Sequence, residues 1–274
     1  MQIFLATERG LFELIPTGGA HRICCPNLDV VDAAIFEGSI YVCSPSSGVY
    51  EVRGRGTKKS IGGGCWRLVK LGERLIASVD GPALYDATTG DKIADFSSYA
   101  ERFGWRFLKG PAHITDIAVF RNKVVASVED GNLLAGDRLE SLAPTRFWAD
   151  SHALLAFRDR LLISTSTGIY YTKDLEEFSM AVGPSGYTHA LALCGGYLAT
   201  HMISSRPLWI SLDGYVWREL PLELPRPGYG TTNLACIGAK ALYAVRQVYV
   251  IDLARLVMEK MASGLPMVLR ILIA

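Results

Sequence analysis

Seven stretches of this chain follow one pattern: a β-type run, a short turn usually containing Gly, and a second β-type run. They read QIFLATERGLFEL, IYVCSPSSGVYEV, LIASVDGPALYDA, VVASVEDGNLLAG, LLISTSTGIYYTK, YLATHMISSRPLWIS and ALYAVRQVYVID. Each but the first follows an apolar strand ending in a tight turn: AAIFEGS, RLVKLGER, IAVFRNK, LLAFRDR, LALCGGY and LACIGAK. Alternation and β-branched or aromatic content mark all of these as strands. The second runs begin near residues 11, 49, 83, 132, 169, 208 and 247, so most intervals lie close to forty residues. The interval from the third to the fourth is longer.

A unit of that length built from four short strands is a propeller blade. The sequence therefore predicts an all-β, seven-bladed β-propeller, one domain over residues 1–274, with strands a to d running outward from a central channel in each blade. The first unit lacks strand a, because the chain begins directly in strand b. The last unit leaves SGLPMVLRILIA over. The C-terminal strand Met267–Ile273 should thus pair with Gln2–Ala6, removing an open sheet edge. The long interval holds residues 96–110, FSSYAERFGWRFLKG. Ser97 or Ser98 is expected to cap a short helix through about Phe103. Tyr99, Phe103, Trp105 and Phe107 are too apolar for open water, so the segment should lie over the rim or a blade end as a lid.

Half of the residues are hydrophobic, and the formal net charge of +1 gives no global field for nucleic acid. The start, MQIFLATERG, has no basic leader pattern. LPMVLRILIA is ten residues long and carries Arg270, too short to span a bilayer. A cytoplasmic protein without a membrane span is expected. Only Asn27, Asn122, Asn132, Asn233, Gln2 and Gln247 carry side-chain amides, a depletion that fits a thermophilic source. Six cysteines show no CxxC spacing, so no zinc knuckle is expected and most should be small core residues. Hyperthermophiles do form intracellular disulfides, which leaves the pairing open.

Ser211-Leu212-Asp213-Gly214-Tyr215-Val216-Trp217 falls on the turn between strands c and d of the sixth blade. Asp213 can accept backbone N–H bonds there, Gly214 tolerates positive φ, and Trp217 can pack between hairpins. The fifth blade has Thr172-Lys173-Asp174 followed by Phe178. These two segments resemble the Asp-box (BNR) repeats of sialidases and photosystem II assembly factors, in a form one residue shorter than the commonest. The resemblance implies a structural box, away from any catalytic mouth. Asp86-Ala87-Thr88-Thr89-Gly90-Asp91 in the third blade is similar to the turn of quinoprotein-type propeller repeats. WD dipeptides are absent.

In a propeller the d–a and b–c loops ring one face of the channel. With strands a aligned on their tight turns, His152 and His189 occupy one position in neighbouring blades. Thr115 and Thr232 fill it in the flanking blades. Asp116 and Asn233 come one residue later, His113 lies just before, and His201 comes from the b–c side of the sixth blade. Trp148, Tyr187 and Tyr229 should share this rim, with Arg146 and Arg226. The b–c loops add Glu8, Arg9, Asp80, Glu129, Asp130 and Arg206.

Two adjacent imidazoles can take a metal, or an anion when protonated; otherwise each bonds a neighbouring loop. No metal-ligand set and no catalytic residue is assigned. A sialidase-like site needs an arginine cluster, and only Arg67 stands at an aligned strand start. RGRGTKKSIGGG, residues 53–64, lacks the GK[ST] order of a phosphate loop and lies on an outer hairpin. Its Arg53, Arg55, Lys58 and Lys59 read as edge-protecting charges. Aromatic residues beside arginines are the material of protein-contact hot spots. The expectation is a non-enzymatic scaffold presenting the channel mouth to a protein partner, with no cofactor. The alternative is a small-molecule or metal-dependent hydrolase with a His-containing site at the channel.

Overall fold

The computed structural model describes residues 1–15, 18–54, 56–107 and 110–274. They form seven four-stranded antiparallel sheets, each ordered a-b-c-d. The inner strands are Val268–Ile273 in blade 1, Asp32–Phe36 in blade 2 and Cys65–Leu71 in blade 3. Ile114–Phe120, Ser151–Phe157, Thr188–Cys194 and Leu234–Ile237 follow in blades 4 to 7. Blade 1 closes as the sequence predicts: Ile3 faces Ile273, Phe4 faces Leu272 and Leu5 faces Ile271. Gln2 and Ala274 exchange backbone hydrogen bonds at the end of this ladder.

The core is divided among the seven contacts between neighbouring blades, each with its own apolar cluster. Strand b of blade 5, Arg160–Thr165, shows why. Leu161 and Ile163 pack toward blade 4, and Leu162 packs toward blade 6. Period-2 geometry sends successive side chains to opposite faces, and both faces here are covered. All three residues are fully buried, each contributing roughly 1.5–3 kcal/mol.

Four of the outer c–d turns share one device. Asp213 Oδ1 accepts the N–H groups of Tyr215 and Val216 at 2.8 and 3.0 Å. Asp174 does the same for Glu176 and Glu177, Asp86 for Thr88 and Thr89, and Asp252 for Ala254 and Arg255. Ser211 Oγ accepts from Gly214 N, and Trp217, buried, donates from Nε1 to Gly214 O. Gly214 has φ +79°, and a Cβ there would meet Leu162 Cδ2 at 3.0 Å. In the fifth blade Leu175 takes the left-handed position at φ 69°. The seventh-blade turn at Asp252 is one that the sequence reading missed.

The cysteine expectation needs correction. Cys43–Cys65 ties blade 2 to blade 3, and Cys194–Cys236 ties blade 6 to blade 7. Only Cys24 and Cys25 are free, buried thiols. The helix in the 96–110 segment spans Ser97–Phe103 and ends on Gly104 in the left-handed conformation. Neither serine caps it. Phe96 holds the N-cap position without a side-chain bond, and Ser97 Oγ bonds Gly81 O and Asp95 Oδ1 instead. Tyr99 and Trp105 pack on the cluster between blades 3 and 4.

Lys58 and Lys59 lie exposed on the outer strand Gly56–Ile61 of blade 2, and Arg53 pairs with Glu51. Arg55 lies outside the described residues. Among those residues no helix is long and apolar enough to cross a membrane.

Candidate functional site

One inner-strand position organises the channel mouth. In blades 3, 4, 5 and 6 the a–b register skips one residue near the start of strand a: Trp66, Thr115, His152 and His189. The same skip in blade 1 isolates Leu269. A β-bulge leaves its extra residue out of the ladder and re-aims the side chain. Val31 of blade 2 and Thr232 of blade 7 complete a ring of seven, and all seven line a cavity of about 1110 Å³. The d–a and b–c loops raise its wall with Glu129, Asp130, Asp150, Tyr187 and Tyr229. Trp105, Arg106, Phe107 and Gly110–His113, in and just after the 96–110 segment, close one side.

The residue after each ring position forms a second layer. From blade 1 to blade 4 it alternates in charge: Arg270, Asp32, Arg67, Asp116. Arg270 Nε lies 2.8 Å from Asp32 Oδ1, Arg67 Nη1 lies 3.0 Å from Asp32 Oδ2, and Arg67 Nη2 lies 2.8 Å from Asp116 Oδ1. Each Asp also grips the next blade, Asp32 through Leu68 N and Asp116 through Leu154 N. Burial pushes the Asp32 carboxyl up to about 6, against the pull of Arg67 and two backbone N–H groups. Blades 5 and 6 carry Ala153 and Ala190 in this layer, and Asn233 of blade 7 bonds Ala244 O. The ladder is therefore one-sided, and the imidazoles stand over its uncharged half.

His152 is held at both ring nitrogens. Nδ1 lies 2.6 Å from Thr188 O, and Nε2 lies 3.0 Å from Asp150 Oδ1. Both partners are acceptors, so this geometry favours the imidazolium. Burial presses its pKa down, but the Asp150 bond and the Asp150 and Glu129 charges carry it above the ordinary value. Asp150 is held low in turn, its burial outweighed by the His152 bond. His189 stacks on His152 at 3.9 Å and 8°, and its Nε2 accepts from Gly230 N. Burial and the His152 charge keep His189 neutral, far below its ordinary value.

His113, also neutral, is brought down to about 4 by burial. It stacks on Trp66 at 4.1 Å, takes the edge of Phe107 at 4.7 Å, and stands 3.8 Å from Glu129 Oε2. Burial raises Glu129 to about 7. The site thus places a protonatable carboxyl, an ion pair and two neutral imidazoles around one pocket.

Of the rim residues named from sequence, His113, Thr115, Glu129, Asp130, His152, Tyr187, His189, Tyr229 and Thr232 line the cavity. Asp116, Trp148, His201, Arg206 and Asn233 do not, nor do Glu8, Arg9, Asp80, Arg146 and Arg226. Asp116 is turned into the ion-pair ladder by the bulge at Thr115, and Asn233 is fully buried. His201 is fully buried beside Tyr243, and among the described residues neither ring nitrogen has a partner in hydrogen-bond geometry. Trp148 belongs to the outer strand Ala143–Ala149, and Arg206 faces Glu219 at 3.9 Å. Sequence reasoning missed Trp66, Asp32, Asp150 and Arg270. Asp150 was findable, two residues before His152 in a d–a connection. Arg270 was hidden in a strand read only for its apolar run.

Fold and mouth together define a seven-bladed propeller with a walled, polar-floored cavity at one end of its channel. No protein-family model matches the sequence, and no curated protein sequence matches it. Solved structures do match. The computationally designed Ika8 protein aligns over 99% of this chain and 89% of its own, at TM-score 0.62 and 13% identity. A chain of the nidogen/laminin complex aligns over 98% and 97%, at 0.57 and 10%. The dihydro-heme d1 dehydrogenase NirN, in complex with DHE, aligns over 99% and 74%, at 0.57 and 13%. At such identities the likeness shows the fold alone.

Proposed function

We propose that this protein is a binding propeller whose channel mouth takes up a compact, flat small molecule. The observation that carries the reading is the cavity of about 1110 Å³. That is just above the ordinary range of ligand pockets, roughly 300–1,000 Å³, which are concave where protein-contact faces are broad. Trp66 and Phe107 wall one side, and Tyr187 and Tyr229 another. Such walls suit a ring system. Arg106, without an ion pair among the described residues, and Glu129 offer charged handles of opposite sign. Propellers of this shape include NirN, in complex with DHE, and a chain of the nidogen/laminin complex, so the fold leaves the ligand class to the site.

The test is a thermal-shift screen of aromatic acids and bases against the wild type and Leu269→Trp, which fills the mouth from the inner ring. A ligand at about 100 times its Kd adds about 2.7 kcal/mol. Hits should shift the wild type and leave Leu269→Trp unmoved. Equal shifts in both, or none in the wild type, would count against the reading.

A second reading, a platform for a protein partner, is favoured by two aromatics on the surface: Trp148 is 43% and Tyr229 66% exposed. In that case Trp148→Ala and Tyr229→Ala should each lose a co-purifying partner that Leu269→Trp retains. A cytoplasmic setting in a thermophile is part of both readings, since such cytosols hold disulfides.

A further inference from the structure

Three side chains from two blades converge on one side of the cavity. Glu129 comes from the b–c loop of blade 4, Asp150 from the connection into blade 5, and His152 from the bulge two residues later. One potential ligand atom of each lies within 4.8 Å of the other two, and His152 Nε2 is 3.0 Å from Asp150 Oδ1. In a tetrahedral site with bonds of about 2.0–2.2 Å, ligand atoms stand roughly 3.3–3.6 Å apart. The nearest pair is already inside that separation. No pair would have to close by more than about 1.2–1.5 Å.

The Thr188 bond fixes which nitrogen of His152 would meet an ion. Thr188 O can only accept, so Nδ1 keeps its proton, and Nε2, which would give up its own on metal binding, faces the two carboxylates. Metal-binding imidazoles characteristically donate their other N–H to a carbonyl or carboxylate. The ring is clamped by His189 at 3.9 Å and Tyr187 at 4.6 Å, so it need not be ordered when an ion arrives.

We propose that Glu129, Asp150 and His152 bind one first-row divalent transition-metal ion of the Zn²⁺ class, with one coordination position open to the cavity. Two carboxylates balance the charge of the ion. The imidazole selects against Mg²⁺ and Ca²⁺, which prefer all-oxygen sites. An open position is what separates catalytic from structural zinc sites, and it would polarise a bound oxygen. The proposal deepens the cavity reading, because the open position would face whatever the cavity holds. Metal uptake is nevertheless measured without an organic ligand.

The experiment uses tag-free, full-length protein, stripped with EDTA and dialysed, then titrated with Zn²⁺ alone by calorimetry and with Co²⁺ by visible absorbance. One equivalent of each should bind, with Co²⁺ giving the d–d bands of a four- or five-coordinate nitrogen/oxygen site. Glu129→Gln and His152→Ala should each weaken uptake by more than about 100-fold. His201→Leu should leave it unchanged. His152→Ala also removes the bond to Thr188 and can disturb folding, so the near-isosteric Glu129→Gln carries the test, with circular dichroism as the fold control. No saturable uptake by the wild type, or uptake undiminished in Glu129→Gln, would overturn the assignment. Metal uptake that survives a failed ligand screen sinks the cavity reading alone; ligand binding without metal uptake sinks this one alone.

Discussion

Breaking either disulfide should cost more than any single apolar deletion of similar size, because each joins two blades that otherwise meet only through side chains and a few polar bridges. Cys43 and Cys65 are 22 residues apart in sequence, and Cys194 and Cys236 are 42 apart. The chain-entropy relation gives about 3.4 and 3.9 kcal/mol for loops of these lengths. A chain of 274 residues unfolds with an entropy of roughly 0.6 kcal/mol per kelvin, so the melting point should fall by about 6 °C and 7 °C. The perturbations are Cys43→Ala with Cys65→Ala, Cys194→Ala with Cys236→Ala, and reduction of the wild type, which changes no side-chain volume beyond the added hydrogens. Scanning calorimetry reads the shifts. Alkylation in denaturant should count two thiols, Cys24 and Cys25, before reduction and six after it. Six reactive thiols in unreduced protein purified without reductant would refute the pairing. Two thiols with an unmoved melting point in both double variants would refute the energetic argument and leave the pairing intact.

Three further outcomes follow from the same geometry. Arg67→Met should lower stability by about 3–5 kcal/mol in chemical denaturation, because it leaves Asp116 buried without its cation, whereas Asp32 keeps Arg270. His201 is neutral in the fold, its pKa lowered to about 4 by burial and ordinarily near 6.5, so its share of stability is intact above pH 6.5 and lost as pH falls through about 4. That share is about 3 kcal/mol. His201→Leu should therefore flatten the acid limb of a stability-versus-pH curve and gain about 1–3 kcal/mol at pH 7 by removing two unbonded nitrogens; a loss at pH 7 would mean the ring has a partner. Asp213→Ala should cost about 1–2 kcal/mol in thermal or denaturant melts, through the two N–H groups it leaves at the turn, and should not change binding at the channel mouth.

Blade number and closure were legible because both rest on patterns a linear chain displays. Strand b of every blade is buried on both faces, so LIASV, VVASV and LLIST stand out as apolar runs. The tail LPMVLRILIA could be placed by counting: six units had a strand a, and one spare strand remained. The capped turns were legible where serine or threonine and an aromatic residue flank the Asp, as at Asp213 and Asp174. At Asp252 the corresponding residues are Val250 and Leu256, and only the fold shows the same two N–H bonds.

The site was half legible for a physical reason. Aligning the blades finds which residues share a position, and His152, His189, Thr115 and Thr232 do share the ring. It does not find the bulge that makes that position point into the cavity while its successor points away. Without the bulge, Thr115 and Asp116 read as one rim pair. With it they part, the first to the pocket and the second to Arg67. A one-residue change of register exchanges the faces of every side chain beyond it, which no composition or motif records. The same limit hid the charge ladder. Arg270, Asp32, Arg67 and Asp116 lie in four strands spread over the whole chain, and their alternation appears only when the strands are set side by side. The chemistry of this mouth is a property of the ring taken across blades, and any change that removes one bulge should disturb the cavity and the ladder together.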